Sequence, residues 1–168
     1  MQAIIFERFG APSEVLSLQD VPQPEPQRDQ VRVRMLSSPI NPSDLMYVRG
    51  DYSVQPTLPA TPGFEGVGIV ETHGGSLLGR LMLGKRVAVL NRDRGNWSQH
   101  TIVPARQVVP IPSGLSADQA AMVFVNPATA WILVRRLLCI PRDAWLLQSA
   151  GASALGRMII RLGQHYGF

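Results

Sequence analysis

The sequence predicts a mainly β domain followed by the opening β-α unit of an α/β domain, and three observations carry that prediction. Short aliphatic and β-branched runs, punctuated by Pro and Gly, fill roughly the first hundred residues, as in a compact β domain. After Pro112 the apolar spacing becomes helical. The run Trp145-Leu-Leu-Gln-Ser-Ala-Gly-Ala-Ser-Ala-Leu-Gly156 then reads as a buried strand, a glycine turn and the start of a helix, the opening of a dinucleotide-binding unit.

The strand candidates are Ala3-Ile-Ile-Phe6, Val31-Arg-Val-Arg-Met-Leu36, Gly66-Val-Gly-Ile-Val70 and Arg86-Val-Ala-Val-Leu90. In the second, Val31, Val33 and Met35 alternate with Arg32 and Arg34, so one face should be buried and the arginines should meet water. Val21-Pro-Gln-Pro-Glu-Pro26 is a proline-stiffened connection, too short to separate domains. Pro42-Ser-Asp-Leu-Met-Tyr-Val-Arg49 is expected to be a short helix with Pro in its first turn and Gly50 at its end. Ser116-Ala-Asp-Gln119 has capping-box spacing and predicts a helix through Val123. Asn126-Pro127 predicts another, with Asn as N-cap, running through Leu138 before Pro141. The domain boundary is expected near residues 125 to 140, with a first domain over 1–125 and the opening of a second over 126–168. A strand with one helix is an incomplete sheet and Trp145-Leu-Leu-Gln148 is apolar as if covered on both faces, so the chain alone is expected either to associate through residues after about 140 or to leave them poorly ordered.

Composition narrows the function classes. No segment runs eighteen apolar residues, and Met1-Gln-Ala-Ile-Ile-Phe-Glu7 has no basic n-region, so a cytoplasmic protein without a membrane span is expected. The net charge of +4 is spread along the chain and no nucleic-acid-binding module is present, which argues against a nucleic-acid partner. Arg92-Asp-Arg94, the densest short charged site, reads as a solvated loop. The single Cys139, in Leu137-Leu-Cys-Ile140, is expected to be a buried small apolar residue and excludes an intrachain disulfide. His73, His100 and His165 lack ligand spacing, and no metal is expected.

Ile40-Asn-Pro-Ser-Asp44, Pro62-Gly-Phe-Glu-Gly-Val-Gly68, Gly84-Lys-Arg-Val87, Asn126-Pro-Ala-Thr-Ala130 and Gln148-Ser-Ala-Gly-Ala-Ser-Ala-Leu-Gly156 stand in the order found in medium-chain dehydrogenase/reductases. The sequence resembles their quinone-reductase and 2-enoyl-thioester-reductase branch over nearly its whole length. That resemblance implies a GroES-like β-barrel, as in the N-terminal domain of alcohol dehydrogenases, followed by the first β-α unit of a truncated Rossmann domain. It also implies NADPH as cofactor and a small-molecule enone, quinone or enoyl thioester as substrate. Such enzymes commonly pair into homodimers through the nucleotide domain, which leaves the oligomeric state open here. Where zinc-dependent members place a cysteine ligand this sequence has the Asn41 stretch, and where they have Gly-His-Glu it has Gly63-Phe64-Glu65. Phe cannot ligate zinc, and a catalytic zinc site needs about three protein ligands.

Without a metal, developing negative charge must be met by hydrogen-bond donors. Tyr52, in Arg49-Gly-Asp-Tyr52, matches the tyrosine that enoyl-thioester reductases use near the substrate carbonyl, and a phenol is a neutral proton donor at pH 7. Its alternative role is an aromatic that merely packs. Asn41 and Thr129 match family positions near the nicotinamide; Asn before Pro is also a turn former, and Thr in a first helical turn can bond back to the main chain. Trp97 matches an aromatic of the substrate cleft and could equally be a core anchor. Glu65, set among glycines, is expected to satisfy barrel backbone or an arginine rather than act as an acid.

In the nucleotide turn, Gly151, Ser153 and Gly156 occupy the three places of the G-x-G-x-x-G pattern, with Ser able to bond phosphate. G-x-S-x-G is absent there, so an acyl hydrolase is a distant reading. Two functions are therefore expected to compete: the N-terminal half of a zinc-independent NADPH-dependent reductase, with little turnover alone, and a silent GroES-like domain fragment that acts only through association.

Overall fold

Alternation in the sequence sets the strands. β1 (Gln2–Ile5) and β2 (Ser17–Asp20) pair antiparallel across α1 (Pro12–Val15). β3 (Gln30–Ser37), β4 (Glu65–His73), β5 (Arg86–Leu90), β6 (His100–Pro104) and β7 (Val109–Pro110) form one antiparallel sheet in the order β6-β3-β4-β5-β7. A computed structural model describes these and all other residues over 1–91 and 94–168. Register shifts between Arg32 and Val33 and between Met35 and Ser37 bend β3 against β4. The bent sheet encloses Val31, Val33, Val70, Val87, Val89 and Val103, all essentially inaccessible to water. Each such side chain contributes about 1.5–3 kcal/mol of burial. A bridge from Ala3 to Ser98 ties β1 to the segment before β6.

The arginine face of β3 differs from expectation. Arg32 is not simply solvated: its Nη1 donates to Glu25 Oε1 at 2.8 Å and to Pro24 O at 3.3 Å. Arg34 Nε donates to Glu71 Oε1 at 2.7 Å, and His100 Nε2 lies 3.0 Å from the other oxygen. Partial burial works against a charge on Glu71, but these two partners outweigh it and lower its pKa below the ordinary 4.5.

Helices follow their local signals. α2 (Pro42–Arg49) spans the expected residues and ends at Gly50 in the left-handed region. α3 (Leu77–Met82), capped by Ser76, precedes β5, and α4 (Ala117–Ala121) follows β7. Both capping-box bonds between Ser116 and Gln119 form, at 3.1 Å each, but α4 stops at Ala121, short of Val123. The chain divides into two units there, Met1–Ala121 and Met122–Phe168.

The second unit holds α5 (Val125–Ile132), a π-helical turn over Leu133–Leu137, and α6 (Ala154–Tyr166). Ala130, Val134, Ile140 and Ile159 form its core. The expected strand at 145–148 has no ladder partner among the described residues. Its side chains alternate: Ala144 and Leu146 join the core, whereas Trp145 and Leu147 are 99% and 98% exposed. One face is covered by helices and the other is bare, where a central parallel strand would be covered on both. Cys139 is exposed rather than buried, because it sits at φ 47° where the chain reverses after the π turn, with Sγ 3.3 Å from Arg136 O. Of the Arg92-Asp-Arg94 loop, residues 92 and 93 lie outside the described residues; Arg94 is exposed, and its N–H donates to Asn91 Oδ1. No described helix is long and apolar enough to cross a membrane.

Candidate functional site

In the first unit, the segment from Pro62 to Glu65 gathers three of the predicted residues. Asn41 caps α2 with extended φ and ψ of −98° and 154°, and Pro42 follows at the first helical position. Asp44, at the third position, is 0% exposed and uses both carboxylate oxygens. Oδ2 accepts the Asn41 backbone N–H at 2.7 Å, and Oδ1 accepts the Phe64 N–H at 2.9 Å. Burial raises the Asp44 pKa, the N–H donors oppose that, and the nearby Glu65 adds to it.

Glu65, 1% exposed at the start of β4, accepts from Asn41 Nδ2 at 2.9 Å through Oε1. The Asn41 amide is one partner of the Glu65 carboxylate, and the side chain is held in the barrel wall. The Glu65 carbonyl takes the Ser38 hydroxyl at 2.6 Å. The structure thus gives the Asn41 amide a structural partner, and the residue as a whole is buried.

The Phe64 ring lies 5.1 Å from Tyr47, edge on, and 5.1 Å from Tyr52, tilted by 38°. Tyr52 is half-buried, and its hydroxyl makes no hydrogen bond to a described residue. Trp97 contacts the same segment at Pro62 and Gly63. Its Nε1 donates to Pro39 O at 3.2 Å and its backbone N–H to Pro62 O at 3.0 Å. Gly63 has φ of 102°, and a Cβ there would stand 2.5 Å from Trp97 Cδ1. Glycine is therefore required on both counts. A cleft of about 390 Å³ runs beside Trp97 and is also lined by Met35, Leu36 and Asn96. A larger cavity, about 660 Å³, lies at the opposite end of β3 around Arg28, Ser76 and Arg106 and contains none of the predicted residues. Among the described residues, no three His, Cys, Asp or Glu side chains converge as a metal site requires.

Asp44 was not among the residues singled out for function. The signal was present, since Asn41-Pro-Ser-Asp44 has N-cap to third-position spacing, but the second bond, to a backbone twenty residues away, has no sequence signature.

The second unit carries the remaining predicted residues. α5 begins at Val125 with Phe124 as its N-cap, so Asn126 lies inside the helix rather than capping it; Thr129, one turn in, is exposed, and its Oγ1 donates back to Val125 O at 2.6 Å. Ser153 caps α6, accepting the Gly156 N–H at 3.1 Å. Gly156 is enclosed: a Cβ would lie 2.6 Å from Ala150 O and 2.7 Å from Gly151 O. Gly151 is open, with only Gln148 Nε2 at 3.8 Å. An open glycine before the N-terminus of a thirteen-residue helix leaves room for a phosphate beside positively polarised N–H groups. The turn thus fits a dinucleotide pyrophosphate, and the Ser153 hydroxyl, which accepts the cap bond through its oxygen, keeps its O–H as a donor.

Residues 27–113 match the family described as the alcohol dehydrogenase GroES-like domain. The mitochondrial enoyl-[acyl-carrier-protein] reductase of Caenorhabditis elegans is 32% identical over 99% of this chain and 48% of its own length. Among solved structures, a candidate NADPH:quinone reductase of Bacillus thuringiensis is 40% identical with a TM-score of 0.90, covering 99% of this chain and 50% of that one. The complex of Etr1p with NADP and crotonyl-CoA is 26% identical with a TM-score of 0.86, over 99% of this chain and 52% of that one. The chain spans about half the length of the curated relatives it matches.

Proposed function

This chain belongs to the alcohol dehydrogenase GroES-like domain family, and with it to the medium-chain dehydrogenase/reductases, and we propose that it forms the N-terminal half of a zinc-independent, NADPH-dependent reductase of conjugated enones, quinones or enoyl thioesters. The observation that carries the reading is Tyr52, held on the Phe64 ring with its hydroxyl unengaged by any described residue, beside a segment that also places Asn41 and Trp97. Relatives named enoyl-[acyl-carrier-protein] reductase and NADPH:quinone reductase, and a solved complex with NADP and crotonyl-CoA, support the substrate classes and the cofactor.

Bound NADPH would supply a hydride to the β-carbon of the acceptor. The Tyr52 hydroxyl then either holds the carbonyl oxygen by a hydrogen bond as negative charge moves there, with water protonating the α-carbon of the enolate, or gives its own proton to that carbon and regains one from water. Asn41 and Thr129 are assigned to the nicotinamide side, Gly151, Ser153 and Gly156 to the pyrophosphate, and Trp97 to the substrate cleft. Phe64 in the place of a zinc ligand supports metal-free chemistry. The bare face of Trp145 and Leu147 supports weak or absent turnover by this chain alone.

Calorimetry with NADPH on this chain, with NADH as control, tests whether the partial turn binds. Tyr52→Phe in an enzyme that contains this chain should lower turnover without weakening NADPH binding. Unchanged turnover would remove Tyr52 from the mechanism.

A further inference from the structure

We propose that Asp44 is a positioning residue that sets the place of the Tyr52 ring through Phe64. The inference rests on the reading of Tyr52 above, but its geometry stands apart from any chemistry.

A helix needs one carboxylate oxygen for the reciprocal arm of a capping box, and an exposed aspartate would serve. Asp44 instead is fully buried, beside a second buried carboxylate, Glu65. Burying charge is costly unless it is fully hydrogen-bonded. The oxygen not used at Asn41 reaches across to the Phe64 N–H. That bond ties the first turn of α2 to the backbone whose side chain packs on Tyr52. Tyr52 itself lies just beyond Gly50, the C-cap of α2. It is therefore held from two directions, through the covalent chain from the end of α2 and through Asp44 and Phe64 from its start. Asparagine at 44 has the same shape but one acceptor oxygen, so one of the two backbone N–H groups would face an amide donor.

The three tyrosines, Tyr47, Tyr52 and Tyr166, allow a direct measurement. The chain is labelled with 3-fluorotyrosine and the resonances are assigned by single Tyr→Phe variants. Asp44→Asn and Phe64→Leu should each move the Tyr52 signal at least half of the way toward free fluorotyrosine. In the double variant the signal should move no further than in the larger single variant, because both act along one path. Protected backbone amides in β3 and β6 show that the first unit remains folded.

A Tyr52 signal that stays in place in folded Asp44→Asn, or two displacements that add, would overturn the proposal. If Asp44→Asn does not fold, the unsubstituted chain decides jointly with Phe64→Leu. A Phe64 N–H that exchanges at an open-loop rate, or an unmoved Tyr52 signal in Phe64→Leu, overturns the proposal; a protected N–H with a displaced signal supports it. Because the fluorine shift reads position, a Tyr52→Phe enzyme with full turnover would remove the catalytic assignment of Tyr52 and leave this result standing.

Discussion

Alanine at Gly156 and at Gly151 separates what the nucleotide turn needs for folding from what it needs for binding. A Cβ at Gly156 would stand 2.6, 2.7 and 2.8 Å from Ala150 O, Gly151 O and Gly151 Cα. All three are backbone atoms, so the start of α6 must move off the turn. Overpacking of this kind costs about 1–3 kcal/mol. The better helix propensity of Ala returns at most about 1 kcal/mol. The net expectation is a loss of about 1–2 kcal/mol, confined to the second unit, from these two opposing effects. At Gly151 the nearest atom to a new Cβ is the flexible Gln148 amide at 3.8 Å, and the backbone is not left-handed. That variant should change stability by no more than about 0.5 kcal/mol. Its methyl group would occupy the space proposed for the pyrophosphate. Native-state amide exchange should show α6 opening roughly tenfold more often in Gly156→Ala, the equivalent of about 1.4 kcal/mol, and unchanged in Gly151→Ala. Calorimetry should show NADPH binding weakened in Gly151→Ala. An α6 that exchanges normally with Ala at 156, or one loosened by Ala at 151, would refute the steric reasoning. NADPH binding unaffected by Ala at 151 would refute the site.

Ser153→Ala removes the cap on the Gly156 N–H and should destabilise α6 by about 1 kcal/mol, seen as faster exchange of that amide. Glu71 has a lowered folded pKa, so its contribution is present above pH 4.5 and lost as pH falls through the folded value. With its side chain about one-third exposed, Glu71→Gln should cost about 0.5 kcal/mol at neutral pH and nothing at low pH, read from denaturant melts at both. Trp145→Ser combined with Leu147→Ser exposes nothing new, since both side chains are already bare, so stability should stay within about 0.5 kcal/mol. If the chain associates through this face, light scattering should show the association falling; unchanged association would assign it elsewhere.

Much of the fold was legible because the signals are local. The α2 limits follow from Asn41, Pro42 and Gly50, and the Val31 and Val33 alternation marks the buried face of β3. β2, β6 and β7 were not read as strands. β2 and β7 are short and largely exposed, and β6 sits after an irregular segment, so pairing rather than pattern makes them strands. Cys139 departs from expectation for the same reason: an apolar neighbourhood in sequence is an exposed position once the π turn ends at Leu137.

For the candidate site the division is sharper. The residue types, the absence of a zinc ligand at Phe64, the capping signals of α2 and α4, and the glycine turn before α6 can all be read along the chain, because each depends on neighbours within a few residues. That the Glu65 carboxylate holds Asn41, that Asp44 spans from α2 to Phe64, that Gly63 is packed against Trp97, and that Gly156 is crowded while Gly151 is open emerges from folding alone. These are contacts between atoms set by how strands and loops pack, and a buried charge or a crowded glycine acquires its role only from the groups that folding brings against it.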